Sequence, residues 1–304
     1  MSHLALSFYQ FFPIESVEET LTSLKKTLEE LDAKGRIYIS QEGINAQLSL
    51  EKGAYDRFCC WKRESPFAKA PLKVQETSEH AFEKLTVKMR EQLCAFDVPV
   101  DFSEASSHLS PQEWKERLDA KDPNTFVVDV RNRYESDVGH FSGAILPPVD
   151  SFREFPAYAE ELEKRVDKNK QTVLMYCTGG IRCEYYSAYL KKRGFKQVFQ
   201  LQGGVIQYAE EMGASHWKGK LFVFDDRMTV PIGSQEVLST CIYCEEPSDL
   251  YYNCANMDCN KLFTCCPKCV QAKKGLCSSS CSSGRVRPFD ESEHPKPFRK
   301  LRGS

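Results

Sequence analysis

The 304-residue chain contains no apolar run approaching the roughly 18 residues of a membrane span, and its start, MSHLALSFYQFFPIESVEE, lacks a basic leader region. These absences exclude a helical membrane protein and predict a cytoplasmic location. Charge of one sign is also missing: 41 Lys+Arg face 43 Asp+Glu, for a formal net charge of -2. A globally basic nucleic-acid binder is therefore excluded, and any RNA contact must be local. No glycine-rich dinucleotide fingerprint is present, so no nucleotide cofactor is expected. Histidine is scarce. None of the six begins an H-x-D/E pair, which removes the usual iron-oxygenase ligand set. No internal repeat is seen.

Cysteine, in contrast, is abundant. Nine of the fourteen lie between Cys241 and Cys281, a local density that suits a metal module better than a secreted disulfide framework. The spacings Cys241-x2-Cys244, Cys254-x4-Cys259, Cys266-x2-Cys269 and Cys277-x3-Cys281 give four ligand pairs. Eight thiolates satisfy two tetrahedral sites, so two structural zinc ions are expected, with an iron–sulfur cluster as the alternative. Interleaved pairing would join Cys241, Cys244, Cys266 and Cys269 on one ion and the other four on the second. Sequential pairing competes with it. Cys265 is left over.

The length predicts two or three domains. Residues 1–98 alternate strands and helices in a plausible βαββαβ, ferredoxin-like α+β order, with Ser16-Val-Glu-Glu19 as a capping box, Gly35 ending the first helix and LTVKMREQL as the last strand. Residues 99–111, rich in Pro, Ser and acids, read as a linker. Over 112–235, the strands TFVVDVR, TVLMYC and QVFQLQ alternate with helices as in a parallel α/β sheet. Residues 236–304 form the Cys-rich module and a basic tail. There Lys273, Lys274, Arg285, Arg287, Lys296, Arg299, Lys300 and Arg302 mix with Tyr251, Tyr252, Phe263, Phe289 and Phe298, a composition that suits phosphate contacts and base stacking.

The candidate chemistry lies in Cys177-Thr178-Gly179-Gly180-Ile181-Arg182-Cys183. Ligands of parallel sheets bind at the carboxyl ends of strands, where TVLMYC delivers Cys177. The Gly179 and Gly180 amides and a helix N-terminus are expected to converge on the sulfur, with Arg182 as a nearby cation or an anion clamp. Such settings favour the thiolate, the reactive form of cysteine. The plain alternative is a buried structural thiol. Cys183 either resolves an oxidised Cys177 or merely packs.

VVDVRNRYESDVGHFSGAILP, with Asp129, Arg131 and Glu135, together with CTGGIR, resembles the rhodanese domain. The resemblance implies that Cys177 accepts a persulfide or acts as a nucleophile, and that Asp129, Arg131 and Glu135 mainly support neighbouring loops. Tyrosine-phosphatase loops hold one residue more between cysteine and arginine, so phosphate should fit poorly. RIYISQEGINAQLS, CTGGIRCEYYSAYL, LQGGVIQYAEE, FVFDDRMTVPI and the CxxC-rich end occur in the order seen in the tRNA uridine 5-hydroxylases, which the chain resembles over nearly its whole length. That resemblance implies oxygen-dependent conversion of the wobble uridine of tRNA, position 34, to 5-hydroxyuridine, with molecular oxygen as co-substrate and the anticodon loop as partner. A thiolate adding to C6 of uracil leaves an electron-rich C5 that can react with oxygen, which links the loop to hydroxylation. Two other readings stand beside it: a sulfurtransferase carrying a persulfide on Cys177, and a zinc-dependent RNA-binding scaffold.

Overall fold

A computed structural model describes residues 2–233 and 236–289. The basic tail residues Lys296, Phe298, Arg299, Lys300 and Arg302 lie outside them. The chain opens with β1 (His3–Phe11), α1 (Val17–Glu30), β2 (Lys34–Ser40), β3 (Gly43–Glu51), α2 (Tyr55–Glu64), β4 (Lys73–Thr77) and β5 (Leu85–Met89). These strands form one sheet in the order β4-β1-β3-β2-β5. Its first four strands have the expected ferredoxin-like, acylphosphatase-like order, but the strand that completes it is β4. LTVKM is instead an additional edge strand, parallel to β2. KVQET was invisible to pattern reading because its edge position leaves the strand largely half-buried and polar.

Period-two alternation divides this sheet. Leu4, Leu6 and Phe8 of β1, Ile37 and Ile39 of β2, and Ala46, Leu48 and Leu50 of β3 pack with Leu24 and Leu28 of α1 and Phe58 of α2. The other face is polar. It carries the cross-strand row Lys73, Ser7, Gln47, Arg36 and beside it the row Tyr9, Asn45, Tyr38. Two local expectations fail here. Ser16 caps α1 without a side-chain bond, and the Thr20 hydroxyl bonds back to its carbonyl instead. The helix ends through Asp32 at φ 47°, whereas Gly35 sits inside β2, where a Cβ would lie 2.4 Å from the Gln47 carbonyl oxygen. Close strand approach, not helix termination, demands that glycine.

The second unit runs β6 (Ser107–Leu109), α3 (Pro111–Ala120), β7 (Thr125–Asp129), α4 (Arg133–Ser136), β8 (Gly139–Phe141), α5 (Phe155–Arg165), β9 (Thr172–Tyr176), α6 (Ile181–Lys192), β10 (Gln197–Leu201), α7 (Gly204–Met212), β11 (Trp217–Phe222) and β12 (Thr229–Pro231). Parallel strands stack as β6-β10-β9-β7. Residues 107–109, read as linker from composition, are thus an edge strand of this sheet. β9 is buried along its whole length, as a central parallel strand must be. The final part holds the hairpin β13 (Tyr251–Asn253) and β14 (Leu262–Thr264), then the short α8 (Pro267–Ala272). Among the described residues, no helix is long and apolar enough to cross a membrane.

The three parts share contacts. The Glu42 carboxylate, in the turn between β2 and β3, accepts from the Tyr185 hydroxyl of α6 and from the Leu93 amide at 2.6 Å. Arg227 pairs with Asp225 at 2.6 Å and reaches the Gln75 side chain of β4 at 3.1 Å. The Cys-rich part docks through Lys220–Asp249 at 2.7 Å and through the Tyr251 hydroxyl, which donates to the Tyr134 carbonyl.

Candidate active site and metal centres

β9 ends at Tyr176 and releases the chain into the loop Cys177–Gly180, after which α6 begins. Gly180 adopts φ +105°, which favours glycine, and a Cβ there would lie 2.7 Å from the Tyr9 hydroxyl, so any larger residue would also have to displace that side chain. Gly204 is constrained in the same way. At φ +66°, a Cβ would fall 2.5 Å from the Cys177 carbonyl oxygen. The first turn of α7 then holds the loop, Val205 and Ile206 amides donating to the Cys177 and Thr178 carbonyls at 3.0 and 3.1 Å. LQGG is therefore part of the loop's mould.

Cys177 is 1% exposed. Burial alone would push its thiol up, but the Cys183 thiol donates to it, Arg182 places a positive charge beside it, and the Gly180 and Cys183 amides donate as well. The Gly180 contact is 3.1 Å. The balance brings Cys177 down to about 5, a thiolate near neutral pH. Burial and the adjacent thiolate push Cys183 well above the usual thiol range, so it keeps its proton and serves as donor. The expected Gly179 amide contact is replaced by that of Cys183. The Gly179 carbonyl instead accepts from Lys73.

Arg182 is not an open clamp. Its fork closes on Glu135 at 2.5 and 2.7 Å and touches the Thr178 hydroxyl at 3.3 Å, while the Phe224 ring lies 5.5 Å from the guanidinium carbon. A bidentate pair this deep is held by geometry on both sides. Glu135 thus fixes the loop through Arg182 and through Thr178, which donates at 3.1 Å. Asp129 and Arg131, both fully buried, pair at 2.8 and 2.5 Å, and Tyr176 donates to Asp129 at 2.7 Å. Neither lines the cavity over the loop.

A cavity of about 250 Å³ opens over Cys177, Thr178, Gly179, Ile181 and Arg182, roofed by Ser7, Tyr9, Arg36, Tyr38, Asn45, Gln47 and Lys73. It lies between the polar sheet face and the loop. Its volume is below the about 300–1,000 Å³ of sites for drug-sized ligands, which suits one nucleobase. This roof is not among the site residues expected from the sequence. The available signal was the alternation of Arg36, Tyr38, Asn45 and Gln47 with apolar neighbours, but nothing local said which domain that face would meet.

The cysteine-rich part forms two groups, Cys241, Cys244, Cys266, Cys269 and Cys254, Cys259, Cys277, Cys281, each with its sulfurs within 4.8 Å of one another. The interleaved pairing is the one formed. Contacts of 3.7 Å (Cys244–Cys266), 3.6 Å (Cys259–Cys277) and 3.7 Å (Cys277–Cys281) match the about 3.8 Å edge of a sulfur tetrahedron with 2.3 Å metal–sulfur bonds. Each group can hold a single metal ion; a multi-iron cluster would spread its thiolates farther. Cys265 is buried beside Cys241 at 3.7 Å, outside either group. Tyr252 and Phe263, expected to stack bases, are buried in the module's packing instead, and Tyr251, given the same role, is buried against Val138 and Phe222 of the second unit. Arg285 is engaged by Asp258 at 2.6 Å.

Fold and loop together define a rhodanese-domain protein, extended by an acylphosphatase-like domain before it and a four-cysteine double site after it. Residues 3–93 match the UPF0176 acylphosphatase like domain, 110–211 the Rhodanese-like domain and 218–282 the Rhodanase C-terminal family. The tRNA uridine(34) hydroxylase of Chlamydia pneumoniae is 46% identical, covering 98% of this chain and 93% of the relative. Those of Chlamydia muridarum (46%; 98% and 92%) and Chlamydia felis (44%; 99% and 94%) are similar over the same extent. The chain belongs to the tRNA uridine(34) hydroxylase family.

Proposed function

We propose that this chain converts uridine 34 of tRNA to 5-hydroxyuridine in the cytoplasm, using molecular oxygen, with Cys177 as the nucleophile. The observation that carries the reading is a thiolate at the floor of a base-sized cavity whose roof is a polar sheet face, in a chain of this family. The anticodon base, unstacked in a single-stranded loop, enters between the two domains. The Cys177 thiolate adds to C6, forming a C–S bond and moving the C5=C6 pair toward C5 and O4. The enolate then forms a C5–O bond with oxygen. A thiol reductant supplies two electrons and two protons to cleave the O–O bond, one oxygen leaving as water. Loss of H5 and expulsion of the thiolate restore the ring. Amides of Gly180 and Cys183 and the Cys183 thiol hold the sulfur anion between turnovers.

Zinc is the ion proposed for the two cysteine groups. Its contribution is structural: it ties the module that seats Tyr251 on the Tyr134 carbonyl, next to Glu135. The division of the chain into 1–98, 99–111, 112–235 and 236–304 is retained as the functional one, with strand 107–109 counted with the rhodanese sheet.

The test is nucleoside mass spectrometry of tRNA incubated with the purified chain and a thiol reductant. Air should yield 5-hydroxyuridine at position 34, anaerobic mixtures none, and Cys177→Ser none under either condition, because serine is a far weaker nucleophile near neutral pH. Added thiosulfate should change nothing. Thiolated uridine formed from thiosulfate without oxygen would replace this reading with sulfur transfer.

A further inference from the structure

Addition of Cys177 to a uracil ring moves negative charge onto O4, and the cation expected to receive it, Arg182, has its fork closed on Glu135. The opposite wall supplies another. Lys73 stands on β4 with Ser7 as its cross-strand partner, and its Nζ donates to the Gly179 carbonyl at 2.5 Å, two residues beyond the nucleophile. An ammonium has three N–H donors, so this bond positions the group over the loop and leaves two for a ligand. Lys73 lines the same cavity as Cys177. Arg36 lines it too, but at the far end of the row Lys73–Ser7–Gln47–Arg36, three strand spacings or about 14 Å away. That distance suits a phosphate of the incoming strand rather than the base.

Resting on the hydroxylation reading above, we propose that Lys73 is a catalytic residue that donates to O4 of the uracil ring as the Cys177–C6 bond forms, and carries the charge of the resulting enolate. The step is redox-neutral: sulfur supplies the bonding pair, the C5=C6 pair moves into the C5–C4–O4 system, and no proton leaves the thiolate. Placed at the atom where charge develops, the ammonium acts as an oxyanion-hole donor. Burial pulls Lys73 down to about 8, opposed by the charges of Cys177 and of Glu210 on α7. Tyr9 of β1 also faces it, with the ring centre 5.9 Å away, and Asp225 and Arg227 share a second cavity with it. The charged form is thus available below about pH 8.

The assay uses tRNA carrying [5-³H]uridine at position 34. Enolate formation without oxygen, followed by protonation at C5 and reversal, releases tritium to water, so addition is read separately from hydroxylation. Wild type should release tritium anaerobically and hydroxylate in air. Lys73→Met should slow both by about 100-fold or more, with tRNA affinity changed by less than about three-fold by the same reasoning, since one donor acts only on the developing charge. Lys73→Arg should recover much of the rate and lose the alkaline limb near pH 8. Iodoacetamide, which needs no oxyanion donor, should alkylate Cys177 in Lys73→Met at close to the wild-type rate, showing the loop intact. Wild-type tritium release by Lys73→Met, a loss confined to tRNA affinity, or a loss matched by lost alkylation would each overturn the assignment of Lys73 alone. A wild-type chain that neither releases tritium nor hydroxylates would overturn the underlying reading with it.

Discussion

Cys183→Ala isolates the strongest of the contacts that keep Cys177 ionised. Burial opposes the thiolate; the Cys183 thiol is the first of the groups that outweigh it, ahead of Arg182 and the two amides. A hydrogen bond to a charged partner contributes about 1.5–3 kcal/mol, and each pH unit corresponds to about 1.36 kcal/mol. Removing the donor should therefore raise the Cys177 midpoint by about 1–2 pH units, from about 5 to between about 6 and 7. Cys183→Ser retains a donor of nearly the same reach and should shift it less. Thiolate absorbance near 240 nm, followed from about pH 4 to 9 as the difference between each protein and its Cys177→Ser counterpart, removes the signal of the other cysteines. The sign is fixed by which form the donor stabilises: without it the anion is less stable, so more alkaline solution is needed to form it. A Cys183→Ala midpoint still at about 5 would mean that Arg182 and the amides, not the Cys183 thiol, keep Cys177 ionised.

Two further outcomes follow from the buried pairs and the thiolate groups. Glu135→Ala leaves Arg182 buried without its counter-charge and should destabilise the fold by about 3–5 kcal/mol, read as a lower denaturant midpoint; a wild-type midpoint would mean that the pair is not the anchor it resembles. Elemental analysis of the purified chain should find two zinc ions per molecule, one for each four-cysteine group, and their chelation should expose Tyr251 and raise its fluorescence quenching by acrylamide. Iron with visible colour in place of zinc would overturn the metal assignment.

What could be read from the chain was what short spacings encode. The strand–Cys–Gly-Gly–helix run from Thr172 to Lys192 specifies where Cys177 emerges, because a parallel strand, a tight turn and a helix start are all local events. Eight cysteines in close pairs likewise announce two tetrahedral sites, but not which pairs join. Only folding decides that, by bringing residues 22 and 18 positions apart, Cys244 with Cys266 and Cys259 with Cys277, to within a tetrahedral edge. Local patterns also misled: Ser16 has the sequence of a capping box without its bonds, and Gly35 has the residue type of a helix terminator at a place where one strand crosses close to another. Tyr251, Tyr252 and Phe263 have the composition of a stacking surface, yet packing turns them inward.

The nucleophile candidate, the two sets of thiolates and the kinds of domain that carry them are legible in the chain, since each is set by neighbours a few residues apart. The tertiary structure decided what surrounds them. Closing Glu135 onto Arg182, across 47 positions, withdrew the obvious cation, and laying β4 against the loop brought Lys73 to a carbonyl 106 positions away. A side chain's partner, unlike its helix or strand preference, depends on which surfaces meet when the two sheets pack together, and that contact is made by shape and buried area over the whole molecule rather than by any one segment.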